Sequence, residues 1–189
     1  MFTRFLNNQI PANWEKCGYL SLKTLSKYME DFVLRVEFFR DWYTKACNLE
    51  SPDGYWISAF FLPAGFLTAI SQNYARKMIV PIDELQFQYT LQKDSNMENF
   101  TGGDENGAYI YGLFIEGCKF DFSRLKLQDS EPGIMFTKAP VILFMPTEEY
   151  VLDPGEYRMP LYKTVERKGI LSTTGQSTNF VCYIDCKTD

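Results

Sequence analysis

Histidine is absent from all 189 residues. Ser-His-Asp and Cys-His catalysis need an imidazole to take up and return a proton, so both are excluded, together with most zinc chemistry. Cysteine is sparse. The five are Cys17, Cys47, Cys118, Cys182 and Cys186, an odd number without a C-x-x-C pair. Cys182 and Cys186 would share one face of a strand, but four residues apart is not a zinc spacing. Reduced core thiols of a cytosolic protein are the expectation, which makes Asn99-Phe100-Thr101 a loop sequence and not a glycosylation site. No apolar run is long enough to span a bilayer, and MFTRFLNNQIP lacks a signal-peptide core, so a soluble protein is expected. A net charge of -5 provides no basic footprint for nucleic acid.

Apolar residues are plentiful. At 46% hydrophobic and 16% aromatic, the composition is enough for a packed core and opposes disorder. The length suits one domain or two small ones. The sequence is organised around Tyr55–Pro81, an apolar run followed by Pro63, which is tolerated at a first helical position because that N–H would lack an intrahelical partner. Phe66, Leu67, Ile70, Tyr74 and Met78 then recur at helical intervals, with Phe66 and Ile70 expected to face a core. Gln72, Asn73, Arg76 and Lys77 form the wet side, the cations near the helix end whose dipole favours them. Pro81 is the expected stop.

Before this stretch, Met1–Gly18 reads as the tail of something upstream followed by a tether, whose Phe2, Phe5, Leu6, Ile10 and Trp14 should dock. Ser21–Cys47 reads as a long helix with two apolar stripes: Leu25, Met29, Phe32, Val36, Phe39, Tyr43 and Ala46, then Leu34, Phe38 and Trp42. Glu30, Asp31, Arg35, Glu37, Arg40 and Asp41 are left for solvent. Asn48–Gly54 is a turn-rich break. After Pro81 the period falls to two. Leu85, Phe87, Tyr89 and Leu91 alternate with Gln86, Gln88 and Thr90. Beyond a polar loop over Gln92–Gly107, strands are expected at Ala108–Ile115, Cys118–Phe122, Pro140–Met145, Arg158–Thr164 and Thr178–Cys186. Helices first and strands after define an α+β protein, divided into 1–81 and 82–189, whose second part is an antiparallel sandwich or small barrel.

No constellation marks a catalytic, cofactor or metal site. Gly169-Ile-Leu-Ser-Thr-Thr-Gly175-Gln-Ser-Thr has a phosphate-loop look, yet five residues separate its glycines and Gln176 stands where the lysine should be. Nothing there would meet a β/γ-phosphate, so a glycine-dependent turn into a strand is expected, with Gly175 at positive φ. Asp83-Glu84, Glu148-Glu149 and Glu166-Arg167-Lys168 read as solvated turns or termini.

The order of residues carries further information. Trp56-Ile57-Ser58-Ala59-Phe60-Phe61-Leu62-Pro63, Phe66-Leu67-Thr68 and Gln72-Asn73-Tyr74-Ala75-Arg76-Lys77 resemble the C-terminal region of dynein heavy chains, most closely the axonemal branch. So do Ser21-Leu22-Lys23, Asp31…Arg35…Glu37-Phe38, Val80–Leu85, Gly107–Gly117, Pro140-Val141-Ile142 and, most specifically, Tyr162–Val181. The resemblance implies N-terminal helices followed by an incomplete antiparallel β-barrel. It implies a non-catalytic cap that packs on a ring of AAA+ modules of the same polypeptide and modulates motor output. ATP and Mg²⁺ would belong to modules upstream. Microtubules and other dynein subunits would be indirect partners, with nucleic acid and membrane excluded. The location would be the cytoplasm and cytoskeleton, in the axoneme of a cilium or flagellum. Two departures stand out. Thr24 replaces a proline usual in the family, so the first long helix is expected to start earlier. A final apolar strand usual after Asp185 is missing, which leaves sheet closure and an edge open to pairing. A free-standing barrel holding an apolar ligand is the other reading.

Overall fold

The computed structural model describes residues 2–7, 9–15, 17–19, 21, 23–97, 100, 103–150, 155–165 and 179–188. These fall into two compact units, Met1–Glu50 and Ser51–Asp189. The apolar helix at the centre of the sequence groups with the strands that follow it.

The first unit holds α1 (Phe2–Leu6), α2 (Ala12–Glu15) and α3 (Leu25–Cys47). The long helix begins at Leu25, later than the expected Ser21. Ser21 Oγ accepts the Lys23 N–H at 3.1 Å, and Thr24 is extended (φ -61°, ψ 158°), so local side-chain bonding holds this stretch out of the helix. The substitution of Thr24 for proline therefore does not lengthen it.

The second unit opens with β1 (Tyr55–Trp56), a single 3₁₀ turn and α4 (Pro63–Met78). Pro63 is at the first turn as expected. Leu67 is buried, and Phe66 and Ile70 pack against the core. The helix stops before Pro81. Ile79 adopts the left-handed conformation (φ 59°, ψ 44°), and its N–H and that of Val80 both bond to the Ala75 carbonyl, which closes the last turn.

Among the described residues, nine further strands follow: β2 (Gln86–Leu91), β3 (Ala108–Tyr111), β4 (Phe114–Glu116), β5 (Cys118–Asp121), β6 (Lys126–Asp129), β7 (Phe136–Lys138), β8 (Ile142–Thr147), β9 (Glu156–Tyr162) and β10 (Phe180–Thr188). One sheet has the order β1-β3-β8-β2 and the other β5-β6-β10-β9-β4-β7. Most pairs are antiparallel, with β1–β3 and β6–β10 parallel. The six-stranded sheet curls into a nearly closed barrel. Its end strands β5 and β7 meet through the Thr137 hydroxyl, which donates to the Cys118 carbonyl at 2.8 Å, and leave an unsealed seam. The incomplete barrel is thus present.

Ala108–Ile115 is not one strand. Gly112 (φ 82°) breaks it, so that β3 enters one sheet and β4 the other. A Cβ at this glycine would overlap the Trp56 indole, and the Ser58 hydroxyl donates to the Gly112 carbonyl. Cys118–Asp121 pairs with β6 in a hairpin that sequence periodicity does not reveal. Asp121 Oδ1 accepts the Ser123 N–H and hydroxyl and the Arg124 N–H, and this builds the turn. The barrel interior is filled by Ile115, Phe120, Leu127, Met159, Leu161, Cys182, Ile184 and Cys186. An apolar ligand inside would have to displace them.

Candidate interaction surfaces

On α3 the roles assigned by periodicity are partly exchanged. Leu25 is buried as expected, but the buried face runs on through Tyr28, which neither stripe included, and through Asp31 and Arg35, which are 9% and 8% exposed and not solvated. Phe32, Val33, Leu34, Val36 and Tyr43 are exposed, Tyr43 at 70%. The reason lies in the segment before the helix. Asp31 Oδ1 accepts from Lys23 Nζ at 2.7 Å; Oδ2 accepts from Arg35 Nε at 2.7 Å and from the Tyr19 hydroxyl at 2.5 Å. The Arg35 guanidinium lies 4.3 Å from the centroid of the Tyr19 ring, which stacks on Tyr28 at 4.6 Å. A carboxylate with three donors can be buried where an unpaired one could not. Burial works to raise the Asp31 pKa, and the bonds from Lys23, Tyr19 and Arg35 outweigh it and hold it below the ordinary carboxylate value. The Tyr19 phenol is raised by burial and then by its carboxylate partner.

The sequence signal for this network was the Asp31…Arg35 spacing, which places the two on one helix face among Leu25 and Tyr28. Lys23 and Tyr19 carried no signal, because their reach depends on how the preceding segment folds back. Beside the network, Trp14, Cys17, Gly18, Tyr28, Met29 and Phe32 line an apolar hollow of about 280 Å³. The docking expected of Phe2 and Phe5 concerns side groups outside the described residues, whereas Leu6 is exposed.

In the second unit, β2 and β10 flank a cleft of about 680 Å³ that is also lined by Tyr150, Glu156 and Arg158. The Tyr150 hydroxyl donates to Asp185 Oδ2, and Arg158 lies 4.9 Å from the centre of the Tyr183 ring. Burial first, then the Asp185 bond and charge, push the Tyr150 phenol up to about 12. Cys182 and Cys186 face inward from β10 as expected, and burial pushes both thiols up to about 12. Cys17 and Cys47 are exposed and do not belong to any core. Asp83-Glu84 lies in an exposed 3₁₀ turn and Glu148-Glu149 in an exposed bend. The Gly169–Thr178 loop, Gly175, Glu166-Arg167-Lys168 and Asn99 are outside the described residues. Among the described residues, no helix is long and apolar enough to cross a membrane.

Helices leading into strands that form a nearly closed barrel with one open seam define an α+β fold. The protein belongs to the family formed by the C-terminal domain of dynein heavy chains, whose sequence model matches residues 1–189. Among curated relatives it is 42% identical over 191 residues to dynein axonemal heavy chain 3 of Mus musculus, covering 100% of this sequence and 4% of that one. It is 39% identical over 203 residues to dynein axonemal heavy chain 6 of Homo sapiens (97% and 5%). With dynein axonemal heavy chain 12 of Homo sapiens it shares 40% over 185 residues (97% and 6%). The 189 residues therefore span only a small part of the length of these relatives.

Proposed function

We propose that these residues form the non-catalytic C-terminal cap of an axonemal dynein heavy chain, an ATP-driven, minus-end-directed microtubule motor. In this reading the cap packs on the AAA+ ring of its own polypeptide and modulates the motor's output. The match of all 189 residues to the C-terminal domain family carries the proposal. The exposed apolar residues of α3 support it, since a helix that docks along a larger body keeps such surface available. ATP and Mg²⁺ are assigned to other modules of the parent motor, with microtubules and other dynein subunits as indirect partners. The place of action is the cytoskeleton of the axoneme.

The test is removal of the segment from about residue 21 onward in the parent motor, followed by single-motor tracking and ATPase assays. Hydrolysis should survive, while force, velocity or run length changes, because a buttress on several modules biases which ring conformations are populated. Identical motility in a folded truncation would count against modulation. Complete loss of hydrolysis would point to ring collapse instead. The isolated 189-residue protein should show no saturable micromolar ATP binding by calorimetry.

A further inference from the structure

Asn106-Gly107 is the one Asn-Gly pair in the sequence. It lies in the loop that enters β3, and the glycine is required there. A Cβ at Gly107 would overlap the Phe144 carbonyl and the Met145 side chain of β8. In such a pair no side chain on the second residue screens its backbone nitrogen from the asparagine carboxamide, so that nitrogen can attack Asn106 Cγ. The Gly107 N–H first gives its proton to hydroxide. The N–Cγ bond then forms, the Cγ–Nδ2 bond breaks, and the nitrogen leaves as ammonia with a proton from water. Water reopens the resulting succinimide ring at either carbonyl, to aspartate or to isoaspartate.

Two neighbours act on this pair in opposite senses. Lys77 Nζ, on α4, donates to Asn106 Oδ1 at 2.8 Å and also reaches Glu105 Oε2 at 3.5 Å. Negative charge grows on Asn106 Oδ1 as Cγ is attacked, so an ammonium on that oxygen favours the attack. Asp104 Oδ1 accepts the Gly107 N–H at 2.8 Å and the Asn106 N–H at 2.8 Å. Removing the Gly107 proton would break a hydrogen bond and leave an amide anion against a carboxylate, so Asp104 opposes the attack. The polarised carbonyl and the blocked nucleophile belong to adjacent residues. We propose that Asn106-Gly107 is a latent self-modification site, primed by Lys77 and held closed by Asp104. It opens when the loop releases the Asp104 carboxylate. Isoaspartate would add a backbone methylene directly before the Ala108↔Phe144 pair, and aspartate would add a carboxylate beside Lys77 and Glu105. Either product alters the joint between α4 and β3. The inference does not depend on the motor assignment.

The experiment uses the whole 189-residue protein, folded and in urea at one pH, with peptide mass spectrometry that separates asparagine, aspartate and isoaspartate at position 106. The folded protein should convert at least about tenfold more slowly than the protein in urea. Asp104→Ala should speed the folded reaction at least about tenfold, and Lys77→Met added to it should slow the reaction again by about threefold. A variant that reacted merely because its loop had unfolded would not respond to Lys77→Met in this way. Hydrogen exchange tests the same step without a variant. Base-catalysed exchange also begins with loss of the Gly107 amide proton, so that amide should be protected in the wild type. Equal rates in folded and denatured protein overturn the site, as does an Asp104→Ala variant no faster than the wild type. So does an unprotected Gly107 amide, or a rate that Lys77→Met leaves unchanged or raises.

Discussion

Ile79 carries a cost at a single residue. A β-branched residue in the left-handed region crowds its own backbone, by about 1–2 kcal/mol for L-residues, and Ile79 is 91% exposed, so no packing offsets it. Ile79→Gly should raise stability by about 1 kcal/mol, seen as a higher midpoint in chemical denaturation. A lower midpoint would show that the isoleucine has a partner in the folded protein. The cysteines divide as clearly. Cys17 and Cys47 are exposed, whereas Cys182 and Cys186 are buried with raised thiol pKa values. In brief native alkylation at pH 8, mass spectrometry should find the first two modified and the last two protected, all four reacting in denaturant. The strand periodicity at Cys182 and Cys186 already placed them inward. The exposure of Cys17 and Cys47 could not be read, since a lone cysteine looks the same in a loop and in a core.

At the scale of elements, α3 depends on the carboxylate of Asp31. Its folded pKa is depressed, so the stabilisation it brings is complete above the ordinary value of 3.8 and disappears as pH falls through the lower folded value. The stability gap between the wild type and Asp31→Asn, measured by urea titration followed by α-helical circular dichroism, should be constant near neutrality and shrink below about pH 4. A gap independent of pH would separate the carboxylate charge from the fold of this unit. Gly112 plays the matching part in the strands. Gly112→Ala would place a methyl group at positive φ and against Trp56, and it should cost about 2–4 kcal/mol in thermal or chemical unfolding. The apolar run on either side of this glycine reads as one strand because periodicity carries no information about a change of sheet. Asp31 and Arg35 were assigned to solvent for a similar reason: charge predicts exposure until partners arrive from elsewhere in the sequence.

At the scale of the whole molecule, the main apolar cluster, from Ile57 to Cys186, lies within Ser51–Asp189. Asn48–Gly54 connects the two units, with Leu49 exposed and left-handed (φ 60°). Limited digestion with a glutamate-specific protease should cut at Glu50 early and leave a 51–189 fragment that unfolds cooperatively. A fragment that is degraded at the rate of the first unit would show that the strands need that unit to fold.

Local and ordered features were settled by the sequence alone. Pro63 marked a helix start, the change of period after Pro81 separated helix from strand, and motif order pointed to the family. What tertiary structure decided is the long-range pairing. It set β6 beside β10, divided β3 from β4, buried Asp31 beneath Tyr19 and Lys23, and left the cleft between β2 and β10 open. Strand neighbours distant in sequence leave no periodic trace, because the alternation of residues records which face is buried and not which strand lies alongside.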